Sequence, residues 1–308
     1  MGKVVSVENL TKRYGDVVAV NDVSFSVAAG EIFGILGPNG SGKTTTVECL
    51  QGLRRADGGR LSVLGFDPAH EAAELRRHIG AQLQESALPD RIRVGEALAF
   101  FSSLAPGGPP WESVLEAWGL SEKRSASFAS LSGGQQQRLF VALAVVNAPA
   151  LVFLDEMTTG LDPSARHVAW DLIRRLRDGG TTVVLVTHFM DEAEQLCDRL
   201  AVIADKRVVA TGTPAELATR FAPPPTVVFS ADPARPLEFL HRVTGVEEVS
   251  RIGSRVAVRG HGPLLAHVAA ALVADGLAPE DLELHRGHLE DAYFALVGTT
   301  ASNEGDGP

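Results

Sequence analysis

Apolar and polar residues alternate over the first thirty positions, in "VVSVENL" (4–10) and "VVAVNDVSFSV" (17–27). A period of two predicts strands with one buried face, and their tandem arrangement predicts an antiparallel pair. The pattern then becomes continuous in "EIFGIL" (31–36), as expected of a strand covered on both sides. A glycine-rich turn follows, and "TVECLQGL" (46–53) reads as a helix. Residues from about 91 to 148 read as mostly helical, broken by the loop "APGGPP" (105–110).

Continuous apolar runs return in "ALVFLD" (150–155) and "TTVVLVTH" (181–188), with the helical pattern "SARHVAWDLIRRLRDG" (164–179) between them. Strand, helix, strand in that order predicts a parallel sheet. "APPP" (222–225) reads as a stiff linker. Beyond it the pattern gives strand, helix, strand, strand, helix, strand, helix, the order of a small ferredoxin-like α+β domain. The predicted boundaries are therefore 1–222 for the main domain, with a helical subdomain at about 85–148, a proline-rich linker at 223–225, an accessory domain at 226–298 and a disordered tail at 299–308.

Charge narrows the function. With 38 acidic against 28 basic side chains, the chain lacks the clustered cations that nucleic-acid backbones require, so no nucleic-acid partner is expected. Two cysteines cannot build a disulfide framework and fit a reducing compartment. The N-terminus has no apolar core of signal-peptide length, and no window approaches the roughly 20 apolar residues that span a bilayer. The expectation is a chain that neither crosses the membrane nor is exported.

The turn after the first buried strand is "GPNGSGKT" (37–44), the pattern of a phosphate-binding loop. Gly37, Gly40 and Gly42 let backbone N–H groups converge on phosphate oxygens, with Pro38, Asn39 and Ser41 between them and Thr45 continuing the helix. Its N-terminal end points partial positive charge at the same anion. Lys43 is placed to reach the β- and γ-phosphates of ATP, and Thr44 to ligate Mg²⁺. The run ending in Asp155 and Glu156 supplies two carboxylates with separable tasks: Asp155 toward the metal, Glu156 as the base that polarises water.

Between these motifs stands "LSGGQQQR" (131–138), and with it the chain resembles the ATPase subunit of an ABC transporter. The resemblance is dense from residue 3 to about 220. It implies a P-loop ATPase fold: a mainly parallel α/β core, an antiparallel β subdomain and a helical subdomain, joined here by the α+β accessory domain. It implies that Leu131, Ser132, Gly133, Gly134 and Gln135 meet the γ-phosphate held by an opposite subunit. Tyr14 resembles the aromatic that stacks on adenine, with a core tyrosine as the alternative. His188 resembles the switch histidine at the γ-phosphate. Asp162 resembles the loop acid crossing the dimer interface, a role compatible with capping the next helix. For the glutamine that senses Mg²⁺, "IGAQLQESALPD" offers Gln82 and Gln84, and the family spacing favours Gln84. Met157 departs from the family, which usually carries proline there; the loss of that ring is expected to loosen the loop bearing Glu156.

The closing "LEDAYFALVG" (289–298) resembles the ending of daunorubicin-resistance-type exporter ATPases through Leu289, Glu290, Asp291 and Phe294. The resemblance implies a homodimer around two Mg·ATP that drives a permease on a separate chain, held cytoplasmically at the inner face of the membrane, for drug or small-molecule export. A translation or repair ATPase is the rival from another class, disfavoured by a single phosphate loop and no heptad run. A nucleotide sensor without turnover is disfavoured by Glu156.

Overall fold

The computed structural model describes residues 2–82, 87–104 and 107–302. The chain divides into two compact units, the first running to Pro214 and the second from Ala215 to Thr299.

In the first unit, β1 (Lys3–Tyr14) and β2 (Val17–Ala28) form the antiparallel pair that the alternation predicts. After β3 (Ile32–Leu36) and α1 (Lys43–Leu50), β4 (Gly58–Val63) joins the far side of β1, giving the order β2-β1-β4. The inward side chains of this sheet, among them Val5, Val7, Leu10, Val23 and Val27, share one core with Phe33 and Ile35 of β3. Phe25 and Phe33 stack there with ring centroids 5.3 Å apart.

The chain continues through α2 (Ala72–Leu75), β5 (Ile79–Gln82), α3 (Val94–Leu104), α4 (Trp111–Ala117) and α5 (Gly133–Val145). Then come β6 (Leu151–Asp155), α6 (Pro163–Asp178), β7 (Thr182–Thr187), α7 (Met190–Leu196), β8 (Arg199–Ala204) and β9 (Arg207–Gly212). The second sheet has the order β5-β6-β7-β3-β8-β9, parallel except for the β8–β9 hairpin. Every residue of β3, β6 and β7 is buried, the reason their sequences run apolar without alternation. The consequence for function is positional. The loops after β3, β6 and β7 leave the same edge of three adjacent parallel strands, where ligands bind in open α/β sheets.

The second unit holds most of α8 (Pro214–Phe221), then β10 (Thr226–Ser230), β11 (Val246–Ile252), β12 (Arg255–Gly260), α9 (Leu264–Ala274), β13 (Glu283–His285) and α10 (Leu289–Ser302). Its antiparallel order, β11-β12-β10-β13, is that of a ferredoxin-like sheet, and Leu264, Val268 and Leu272 of α9 pack on Val227, Phe229, Val256 and Val258. Three details differ from expectation. The first predicted helix is only a 3₁₀ segment, Glu238–Arg242, in a short stretch between Pro236 and the Gly245 turn, where an α-helix has little length to nucleate. The division falls at Pro214, ahead of the 223–225 linker. That linker is held in place: Gly287 lies so near Ala222 that a Cβ on it would sit 2.4 Å from the Ala222 Cβ. And α10 continues to Ser302, past the start of the expected disordered tail; residues 303–308 lie outside the described residues.

Candidate functional site

The loop from Gly37 to Gly42 connects the buried β3 to α1 and requires glycine at both ends. A Cβ at Gly37 would lie 2.1 Å from the Ile203 carbonyl oxygen; one at Gly42, whose φ is +99°, would lie 2.4 Å from that of Ala19. Gly42 is also the N-cap of α1, so no side chain caps this helix. First-turn amides have no partner within a helix, and here the residues that carry them line a cavity of about 400 Å³ with Asn39, Gly40, Glu156 and Lys206. Ser41 is buried, its hydroxyl without a hydrogen bond. The Lys43 ammonium donates to the carbonyls of Gly37 at 2.8 Å and Pro38 at 3.0 Å. Burial pulls its pKa down, against the attraction of Glu156 and Asp155.

Asp155 ends β6 and is 4% exposed. Burial, and then the charge of Glu156, push its carboxyl up to about 6, opposed by Lys43 and the Thr44 hydroxyl. Its Oδ1 is buried with no hydrogen bond. A hard divalent cation takes oxygen ligands, and a buried carboxylate with one oxygen free beside the Thr44 hydroxyl fits Mg²⁺.

Glu156 follows with φ +50°, a left-handed conformation that costs a non-glycine residue on the order of 1 kcal/mol. Its N–H bonds the Val186 carbonyl at 2.9 Å, and its Oε1 lies 3.0 Å from Nδ1 of His188, just beyond β7. Parallel pairing of β6 with β7 creates this contact between residues 32 apart in sequence. Met157, the next residue, is buried at 1% exposed.

Tyr14 is 41% exposed, which removes the core alternative. It pairs with Val17, which lines the cavity, and the cations of Lys12 and Arg54 lie 5.5 and 5.4 Å from its ring centroid. Gln82 ends β5 and is buried, whereas Gln84 lies outside the described residues.

The signature segment builds a second place. Ser132 is the N-cap of α5 in a capping box: its hydroxyl accepts from the Gln135 N–H at 3.4 Å, and the Gln135 side-chain oxygen accepts from the Ser132 N–H at 3.0 Å. Leu131 is buried beneath the cap. Asp162 caps α6, accepting from the Ala165 N–H at 2.9 Å and the Ser164 hydroxyl at 2.7 Å, contacts that hold its pKa below the usual carboxylate value. Ser132, Gly133, Gly134 and Asp162 line a cavity of about 430 Å³ that shares no lining residue with the phosphate-loop cavity.

Within one chain, then, the structure gathers Asn39, Gly40, Gly42, Lys43, Thr44, Thr45 and Glu156 about one cavity, and Ser132, Gly133, Gly134 and Asp162 about another. Sequence reasoning missed Lys206, which lines the first cavity from the β8–β9 turn, where Asp205 and Lys206 both have positive φ. "ADKR" carries only the signal of an ordinary hairpin turn.

Known proteins match this architecture. The ABC transporter family model matches residues 20–159. The chain is 38% identical over 301 residues to the Nod factor export ATP-binding protein I of Burkholderia orbicola, covering 96% of this chain and 97% of that one. It is 36% identical over 317 residues to a daunorubicin resistance ATP-binding protein of Streptomyces coeruleorubidus, covering 98% and 97%. Among solved structures, an ATP-binding subunit of an ABC transporter aligns with a TM-score of 0.65 at 26% identity, over 71% of this chain and 93% of that one. An ATP-binding cassette in its ADP conformation aligns with a TM-score of 0.64 at 26% identity, over 70% and 93%. With a phosphate loop, two terminal carboxylates and a signature helix on that frame, the chain belongs to the ABC transporter family as an ATP-hydrolysing, ATP-binding subunit.

Proposed function

We propose that two copies of this chain close around two Mg·ATP and drive a separate transmembrane permease that exports a drug or other small molecule. The observation that carries the reading is the separation of the two cavities. Phosphate-loop and signature residues are both suited to anions, yet one chain presents them apart, so a shared phosphate calls for a second copy. The export sense is supported by relatives named for Nod factor export and daunorubicin resistance.

The roles combine this geometry with the family resemblance. Lys43 exchanges its two loop carbonyls for the β- and γ-phosphates, and the bare amides of α1 complete the cradle. Thr44 and Asp155 would hold Mg²⁺, which would supply positive charge to the phosphate oxygens. Glu156 accepts the proton of the attacking water while His188, hydrogen-bonded to it, faces the γ-phosphate. Tyr14 offers its ring to adenine. Ser132 donates its hydroxyl proton to the partner's γ-phosphate while still accepting from Gln135, and Asp162 faces the partner at the same seam. Gln84 is kept as the Mg²⁺-sensing glutamine on the family resemblance.

The permease would place a short helix in the groove of about 480 Å³ that Arg77, Gln82, Phe101, Leu104 and Phe140 help to line. None of the described helices is long and apolar enough to cross a membrane, so the chain would reach the inner face of the membrane through that permease.

Mixed dimers test the shared site. A Lys43→Ala chain paired with a Ser132→Arg chain keeps one composite site, Lys43 of the second facing Ser132 of the first, and should hydrolyse ATP. Wild type paired with a chain carrying both changes keeps none and should be nearly inactive. The reverse ranking overturns the reading.

A further inference from the structure

Behind the Glu156–His188 pair lie buried polar groups that the roles above leave unused. Glu192, on α7, is fully buried. So are Thr158, two residues beyond Glu156, and Thr187, the residue before His188. Trp170 of α6 donates its indole N–H to Glu192 Oε1 at 3.2 Å. The Thr187 and Thr158 hydroxyls face the same carboxyl; burial raises its pKa, and these two threonines and Trp170 pull it back. The Thr187 oxygen accepts from the Phe189 N–H at 3.0 Å, which leaves its hydrogen for Glu192. Glu192 Oε2 and the Thr158 hydroxyl meet without a well-formed hydrogen bond. One turn earlier on α6, Arg166 pairs with Asp191 at 2.9 Å and lies over the Phe189 ring at 4.6 Å.

A carboxyl in a sealed core is costly unless hydrogen-bonded, and a leucine would fill the same space without that penalty. What the carboxyl adds is directional linkage. It bonds α6 through the Trp170 indole and faces two hydroxyls, Thr158 on the turn after Glu156 and Thr187 at the strand end before His188. The turn it faces is strained, since Glu156 stands at φ +50°.

We propose that Glu192 is a positioning residue for ATP hydrolysis, tying Thr158, Thr187 and Trp170 together so that Glu156 and His188 keep their separation and direction. The inference rests on the reading that these two side chains act on the γ-phosphate. Fully buried, Glu192 would act through the backbone on either side of the pair.

The test compares full-length Glu192→Ala, Glu192→Gln and Trp170→Phe with the parent for turnover, ATP affinity, melting temperature and the ¹⁵N imidazole signals of His188. Glu192→Ala should lower kcat by about 10-fold or more with ATP affinity within about two-fold, and should move the His188 signals. Glu192→Gln should recover to within about three-fold of the parent, since an amide still accepts from the indole and can bond the threonines. Trp170→Phe removes the indole donor and should cost a few-fold in kcat while moving the same signals. Unchanged kcat and unchanged His188 signals in Glu192→Ala overturn the proposal, as does a loss no greater than the loss of folded protein. If that variant does not fold, Trp170→Phe decides by the same two readouts. Glu156→Gln, the control, should bind ATP but turn over about 10²- to 10⁴-fold more slowly. A control that keeps turnover removes the reading of Glu156 itself; an inactive control beside a normal Glu192→Ala removes only the positioning role.

Discussion

The phosphate loop and the signature segment are both glycine-rich entries to a helix, yet they are finished differently. At α1 the N-cap is a glycine and no side chain covers the first turn; the Ser41 hydroxyl is unbonded and Lys43 rests on loop carbonyls. At α5 the Ser132–Gln135 capping box satisfies the N–H groups of those two residues. An end left open gains most from a phosphate, because the ligand supplies the missing partners. An end already capped can add only what its cap leaves over, one hydroxyl proton and glycine amides. On the proposed reading, the first would hold nucleotide alone, and the second would contribute once another copy brings a phosphate to it.

Three substitutions probe that contrast, in descending order of effect. Lys43→Ala should weaken ATP binding by about 10- to 100-fold, the scale of a lost charged hydrogen bond, measured by direct titration. Equal affinity would make the open helix end sufficient by itself. Asp155→Asn should abolish the Mg²⁺ dependence of binding yet stabilise the nucleotide-free chain by on the order of 1 kcal/mol at pH 8. The sign follows from a folded pKa of about 6 above the ordinary 3.8. The buried charge is a penalty above pH 6 and disappears as pH falls toward 4, so the gain should shrink over that window in melting curves. Ser132→Ala should cost about 1 kcal/mol of stability through the lost cap while leaving ATP affinity of the isolated chain unchanged. A drop in that affinity would mean that the signature acts within its own chain.

Much of this was legible in the residues. Continuous apolar runs marked β3, β6 and β7, and alternation marked β1 and β2, because the period of burial is written locally. The accessory unit's strands followed the same pattern, while its first helix shortened to a 3₁₀ turn in a stretch too brief for the apolar spacing to build an α-helix. "GPNGSGKT" needed no tertiary knowledge, since its glycines serve neighbouring backbone. Lys206 was not legible: nothing near it in sequence says that a hairpin turn will stand over the phosphate loop. Glu192 was equally hidden, one acid among several in "MDEAEQL" (190–196) until burial singles it out.

By itself the sequence determined the chemistry available: a glycine-rich helix entry suited to anions, a lysine beside it, two carboxylates at a strand end and a second, capped helix entry. Each is set by residues within a few positions of one another, through backbone sterics and helix-end hydrogen bonding. Only the tertiary structure decided how those groups face. Laying β7 beside β6 brings His188 within 3.0 Å of Glu156, Asp155 Oδ1 is left unpartnered, and the signature and the phosphate loop line separate cavities. These outcomes depend on which strands become neighbours, a choice made by burying the whole sheet at once and therefore written in no single stretch of the chain.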